Sequence, residues 1–310
     1  MKKLNEVPEY MLPKNDFIFK RLFGHEGNEE ITKDLVSSII GENIRKLEFK
    51  NPYLLGDIHE DKEEILDVRV ELDNNILCDI EIQVANEHNI EKRILDYWSK
   101  LYRTSIGKSA DYRNMKRTIV ILITTFDIDS LKGIEEYHTR WKILEEKLLI
   151  ELTDVFQIDI IELSKAQKQI KEGTFKRSRR NNWIKFLINP SNMEEEEMED
   201  LKEEIKKAYE LWNDMSLSQE ERDRLERRLL DLNSREYAIE YEREEARKEG
   251  RKEGRKEGRK EGRKEGRKEG KGEGIKEGIK KMAKRMIDEG ISIELIRKVT
   301  GLSQEEIEKL

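Results

Sequence analysis

The stretch from Ile65 to Val84 admits few folds. Leu66, Val68, Val70 and Leu72 alternate with Asp67, Arg69 and Glu71, and Cys78, Ile80, Ile82 and Val84 alternate with Asp79, Glu81 and Gln83. A period of two belongs to strands. The intervening Asp73-Asn74-Asn75 consists of residue types that accept turn geometry. The pattern therefore predicts an antiparallel hairpin, Ile65 to Leu72 and Leu77 to Val84, with one packed face and one charged face. With the loop centred on Asn74, facing residues have numbers summing to 148, and Asp67 lies opposite Glu81. Cβ atoms of facing side chains are about 4.5–5.5 Å apart. Two carboxylates at that distance repel, so water, Arg69, a shared proton or a divalent cation must offset the charge. Mg²⁺, with Mn²⁺ as a substitute, is a hard ion typically held by one or two carboxylates with water and a substrate phosphate. From alternation alone, a solvated polar face is the ordinary outcome, with Glu64 and Asp79 peripheral.

The flanking sequence predicts a mixed α/β domain with a central sheet. Helices are expected from Lys14 to Phe23, from Glu29 to Ile40 ending at Gly41, and from Ile90 to Ile106, where Ile94, Tyr97, Trp98, Leu101 and Tyr102 share a face. Leu47 to Leu55 reads as a strand interrupted at Pro52. The β-branched run in Arg117 to Phe126 reads as a buried strand. Trp141 to Leu144 and Phe156 to Leu163 are further strand candidates, and Asn182 to Ile188 a short helix.

Charge divides the chain. Residues 1–193 hold 31 basic and 34 acidic side chains, whereas the much shorter 194–310 holds 30 and 34. The globular domain is accordingly expected to span 1–193, followed by a charged helical segment over 194–246, a repeat spacer over 247–274 and a small helical module over 275–310. Leu201 to Tyr241 is expected to be helical, packing back on the domain or pairing with another copy. The single cysteine, Cys78, excludes an intrachain disulfide and points to a reducing compartment. The longest apolar runs fall far short of the ~20 residues of a membrane span, and the amino-terminal residues are polar. A cytoplasmic protein is the expectation. His25, His59, His88 and His138 show no zinc-ligand spacing and are expected at the surface.

Three segments carry a resemblance: Lys14-Asn15-Asp16-Phe17-Ile18-Phe19-Lys20, Ile65-Leu66-Asp67-Val68 and Asp79-Ile80-Glu81-Ile82-Gln83. They are similar to the recombination-promoting nuclease (Rpn) family of bacteria, once described as transposases, within the PD-(D/E)xK nuclease superfamily. Arg93 to Tyr97 and Asp-Ile-Ile-Glu-Leu-Ser-Lys at 159–165 extend the likeness over roughly residues 10–190. The resemblance implies a mixed sheet flanked by helices, followed here by a helical carboxy-terminal extension. It implies that Asp67 and Glu81 bind the metal; Asp16 either reaches the same site as a further ligand or is an ordinary capping residue at the helix start. Gln83 stands where many superfamily members have Lys, and Gln is usual there in this family. Lys can stabilise a phosphorane-like charge, whereas Gln can only orient by hydrogen bonds, so the metal would carry more of the electrostatic stabilisation. For phosphate contact the candidates are Arg93 and the basic run Lys176, Arg177, Arg179 and Arg180.

From Arg247 to Gly270 the chain repeats Arg-Lys-Glu-Gly six times. Each Gly costs a helix about 1 kcal/mol relative to Ala, more than Glu–Lys pairs three apart return. A solvated, partly helical spacer is the expectation. Residues 247–271 hold thirteen basic and six acidic side chains, net +7, which suits unspecific nucleic-acid binding. Beyond it, Gly290 and Gly301 sit at helix ends and Ser303-Gln304-Glu305-Glu306 is a capping-box pattern. The module resembles a helix-turn-helix. Its last helix carries three Glu and one Lys, a charge that points as much to self-association or autoinhibition as to DNA reading. The combined expectation is a Mg²⁺-dependent DNA endonuclease serving recombination or defence against foreign DNA. Its partners would be DNA and, through the carboxy-terminal helices, further copies of itself. The alternative is a non-catalytic DNA-associated or oligomerisation protein that keeps the fold.

Overall fold

The computed structural model describes residues 7–50, 68–86, 88–105, 111–193 and 195–310. They form two compact units, residues 1–236 and 237–310. The first opens with α1 (Asp16–Phe23) and α2 (Glu29–Ile40). Asn15 caps α1 by accepting from the Phe17 amide, and α2 ends at Gly41, whose φ of 76° suits glycine. Strands β1 (Leu47–Phe49), β2 (Val68–Leu72) and β3 (Ile76–Gln83) precede α3 (Ile90–Thr104); β4 (Thr118–Thr124), β5 (His138–Trp141) and β6 (Phe156–Glu162) precede α4 (Leu163–Lys171) and α5 (Arg179–Ile188). The sheet order is β1-β2-β3-β4-β6-β5. The β3–β4 and β4–β6 pairs are parallel and the others antiparallel. This is the mixed sheet flanked by helices that the sequence predicts. Strand β5 begins three residues before the expected Trp141, and α4 was not anticipated.

The hairpin register matches the expectation: Val68 faces Ile80, Arg69 faces Asp79 and Val70 faces Cys78, each pair summing to 148. Asn75 closes the turn with a φ of 59°, a left-handed conformation that Asn tolerates better than most residues. Asp67, Glu64 and His59 lie outside the described residues, as does the Leu47 to Leu55 strand beyond residue 50.

Each sheet face has its own core. Cys78, Ile80 and Ile82 of β3 and Ile119, Ile121 and Ile123 of β4 pack with Phe19, Phe23, Trp183 and Phe186. On the opposite face Val120, Leu122, Ile158 and Ile160 pack with Ile90 and Ile94 of α3. Alternation puts Asp79, Glu81 and Gln83 on that second face. It is not a solvated face: Asp79 is fully buried and Glu81 is only 3% exposed. The parallel neighbour β4 and the cover of α3 remove the water that a free hairpin would have.

The larger core continues past Met193. The short α6 (Glu195–Glu199) and α7 (Glu203–Asn213) follow, and Leu201, Ile205, Ala208, Trp212, Leu217 and Leu225 are buried in the first core cluster. Trp212 also donates from Nε1 to the Met11 carbonyl, 2.8 Å away. The expected end at 193 therefore cuts through a packed layer. Charge density misplaced it because an amphipathic helix carries its charges on one face and its core residues on the other.

A long helix, α8 (Gln219–Asp288), includes every glycine tetrad. An added Cβ would meet nothing within 4 Å at the six tetrad glycines, so the stripe is not covered by packing among the described residues. Helix continuity here exceeds the expected partly helical spacer. In the second unit Ala283 packs with Ile296 of α9 (Ile293–Thr300) and Ile307 of α10 (Gln304–Glu308). Gly290 and Gly301 have φ of 72° at helix ends, and both halves of the Ser303–Glu306 capping box form.

Candidate active site

Glu81 and Gln83 are two residues apart on β3 and point the same way, so the Gln83 amide donates to Glu81 Oε2 across 3.4 Å. Strand β3 is held on both sides: Glu81 is opposite Leu122 of β4, and β2 flanks its other edge. Such a buried central strand fixes a carboxylate more firmly than a loop can. On β2, burial pulls the Arg69 guanidinium below its ordinary pKa, against the attraction of Asp79 and Glu71. Its Nη2 donates to Thr104 Oγ1 of α3 at 2.7 Å, so Arg69 ties the hairpin to that helix. Asp79, set aside by the alternation argument, is the residue facing Arg69 in register.

Arg93 lies on α3, where Nε and Nη2 donate to the Tyr97 hydroxyl at 3.2 and 2.7 Å. Asp16 sits at the start of α1, which packs on β3. With Val84 and Thr125 it lines a cavity of about 190 Å³, at the strand end where Gln83 stands. Its Oδ1 accepts from the Phe17 amide, and Oδ2 pairs with Arg228 of α8, a partner that no motif announced.

Three side chains of the basic run are engaged within the chain. Arg177 pairs with Asp200 at 2.9 Å. Arg179 forks onto Asp34, which is 2% exposed and also accepts from Trp183 Nε1 at 2.8 Å. Arg180 lies over the Tyr137 ring and donates to its hydroxyl and to His138 Nδ1. Lys176 is exposed, and its carbonyl accepts from Asn181. Arg179 and Arg180 thus serve the fold. Asp34 carries a sequence signal in retrospect, an acid on the apolar side of α2.

His138 corrects its surface expectation. Its side chain is 9% exposed and its Nε2 lies 2.8 Å from Asp159 Oδ1. Because Arg180 can only donate, Nδ1 accepts and Nε2 carries the proton. Burial alone would raise the Asp159 pKa, but hydrogen bonds from His138 and Gln157 and the charge of Arg140 outweigh it and lower the value. His25 and His88 are exposed as expected.

A hard divalent cation suits the donors available. Glu81 offers carboxylate oxygen and Gln83 amide oxygen, and no thiolate or imidazole stands beside them on β3. Among the described residues no three His, Cys, Asp or Glu side chains gather into a metal-binding group. No helix among them is long and apolar enough to cross a membrane.

A mixed sheet with parallel central strands, helices on both faces and a buried Glu near the end of a central strand is consistent with the PD-(D/E)xK nuclease fold. A family model described as PD-(D/E)XK nuclease family transposase matches residues 13–242, and one described as the C-terminal HTH domain of the Rpn/YhgA-like nuclease family matches residues 276–310. No curated protein and no solved structure matches. The chain belongs to the Rpn, transposase-like family of PD-(D/E)XK nucleases. The first match, like the core, runs well beyond residue 193.

Proposed function

We propose that the chain is a metal-dependent DNA endonuclease that hydrolyses phosphodiester bonds in recombination or in defence against foreign DNA. The observation that carries this reading is Glu81, a carboxylate buried on a central strand with Gln83 hydrogen-bonded to it, in a chain of a nuclease family. By the alternation of the sequence, Asp67 is the expected partner of Glu81. Asp67 and Glu81 would hold Mg²⁺ or Mn²⁺, with Asp16 joining them once it leaves Arg228. When bound, the ion lowers the pKa of water and stabilises the attacking and leaving oxygens. Gln83 orients water or phosphate, being unable to carry charge. The helix-turn-helix module and the Arg-Lys-Glu-Gly repeats contribute duplex contact, the repeats through unspecific attraction to phosphate.

A non-catalytic DNA-associated protein is the second reading, and one observation favours it: the candidate ligand Asp16 is already neutralised by Arg228. Supercoiled plasmid separates the two. The full chain is expected to nick or linearise it with Mg²⁺ or Mn²⁺ and not with EDTA. Glu81→Gln and Asp67→Asn are each expected to lower the rate at least ~100-fold. Cleavage at the wild-type rate by either variant would refute the site, and absence of metal-stimulated cleavage by the full chain and by Arg228→Ala would refute the nuclease reading.

A further inference from the structure

The end of the sheet farthest from the hairpin carries an apolar arm. Between β5 and β6 the chain turns back on itself: Leu144 bridges Glu151, the Glu145 amide donates to the Ile150 carbonyl at 2.8 Å, and the Leu152 amide donates to Ile143 at 3.0 Å. Lys142 pairs with Glu151 at 2.8 Å. At the tip Glu145 Oε2 accepts from the Lys147 amide at 2.9 Å and from the Leu148 amide. This bracing presents a row of aliphatic side chains to solvent. Leu148 is 71% exposed, Leu149 68%, Ile150 61% and Leu152 77%. A frayed loop would not be so tied, and a soluble surface does not ordinarily display such a row.

Beside the arm lies a groove of about 460 Å³. Ile94 and Leu95 of α3 form one wall, Leu122 and Ile158 the floor, and Trp141 and Ile143, at the base of the arm, the other wall. A void of that size on an apolar floor is foreign to a packed interior. Trp141 and Ile143 belong to both features, so protrusion and recess share one surface. A surface holding both is complementary to itself under a twofold axis, which sets each copy's protrusion in the other's recess.

We propose that this chain forms a twofold dimer in which the Leu148-Leu149-Ile150 tip of each copy fills the Ile94–Trp141 groove of the other. Leu95, Trp141, Ile143 and Leu144, 52%, 42%, 39% and 45% exposed, extend the aliphatic row to a patch on the scale of the ~800 Å² per partner that a stable interface covers. Charge is consistent with the pairing. The tip carries exposed Glu145, Glu146 and Lys147 and the groove edge Glu91 and Lys142, so both sides offer charges of both signs at the rim. The outer edge of β5, the terminal strand of the sheet, lies on the same side and would also be covered. This surface belongs to the first unit and does not depend on the nuclease reading.

Site-directed cross-linking of the full chain tests it. Cys78 is buried, so introduced thiols react alone. Chains with Leu95→Cys and chains with Leu148→Cys, carrying tags of different mass, are mixed and oxidised mildly. A hetero-adduct between the two tags is expected, and adding Ile150→Asp to the Leu148→Cys chain is expected to lower its yield at least ~10-fold. All three positions are exposed, so circular dichroism should show an unchanged fold. Failure to form the hetero-adduct overturns the proposal. So does a Leu95→Cys, Leu148→Cys double variant that closes only within one chain, which would make the arm its own occupant. A yield that Ile150→Asp leaves unchanged also overturns it.

Discussion

Asp34 offers the sharpest test of how the first unit is held. Its carboxylate is 2% exposed and receives Arg179 Nε at 3.1 Å and Trp183 Nε1 at 2.8 Å, with Lys202 3.5 Å away. Three parts of the chain that the sequence keeps apart (α2, α5 and the start of α7) meet on this one side chain. Replacing Asp34 by Ala leaves the guanidinium without its partner and the indole N–H without an acceptor. Breaking a buried pair in this way costs about 3–5 kcal/mol. Arg179 is 36% exposed and Lys202 52%, so both regain water and the loss falls to about 2–3 kcal/mol. For a unit of this size that corresponds to a drop of roughly 5–10 °C in melting temperature. Near-ultraviolet circular dichroism of the full chain reads it. Arg177→Ala is the control: its pair with Asp200 is 57% and 69% exposed, and its loss should cost under about 1 kcal/mol. A melting temperature for Asp34→Ala within ~2 °C of wild type would refute the reasoning. It would also return Arg179 to the pool of free phosphate contacts.

Two further outcomes are expected. Trp212→Ala removes an indole that is 4% exposed and bonded to Met11, and should cost about 3–5 kcal/mol in urea titration; a loss below ~1 kcal/mol would mean that α7 is dispensable to the core. Asp159 has a lowered folded pKa, so its contribution is present above the unfolded carboxylate value of about 3.9 and disappears as pH falls through the lower folded value. The stability gap between wild type and Asp159→Asn should therefore hold steady from neutral pH down to about 5 and narrow below about 4. A gap that widens in acid would contradict the bonding described for His138 and Gln157.

The division between what the chain spells out and what folding adds follows distance along the sequence. The hairpin register, the left-handed caps at Gly41, Gly290 and Gly301, and the Ser303–Glu306 box are written locally, because each depends on residues a few positions apart. The carboxylate on β3 was legible for the same reason, through alternation and motif. What covers that strand was not. Asp79 and Glu81 are buried because β4 lies parallel beside β3 and α3 crosses the face, and neither neighbour is implied by the alternation itself. The fates of Arg179, Arg180 and His138 turned on Asp34, Tyr137 and Asp159, residues 21 to 145 positions away. Charge density likewise placed the domain edge at 193, because composition counts side chains without regard to which face of a helix they occupy. By itself the sequence determined the hairpin register, the caps and the place of Glu81 on a strand. Tertiary structure alone decided which of its many charges face water and which are held by one another, since burial and pairing are properties of neighbours brought from far along the chain.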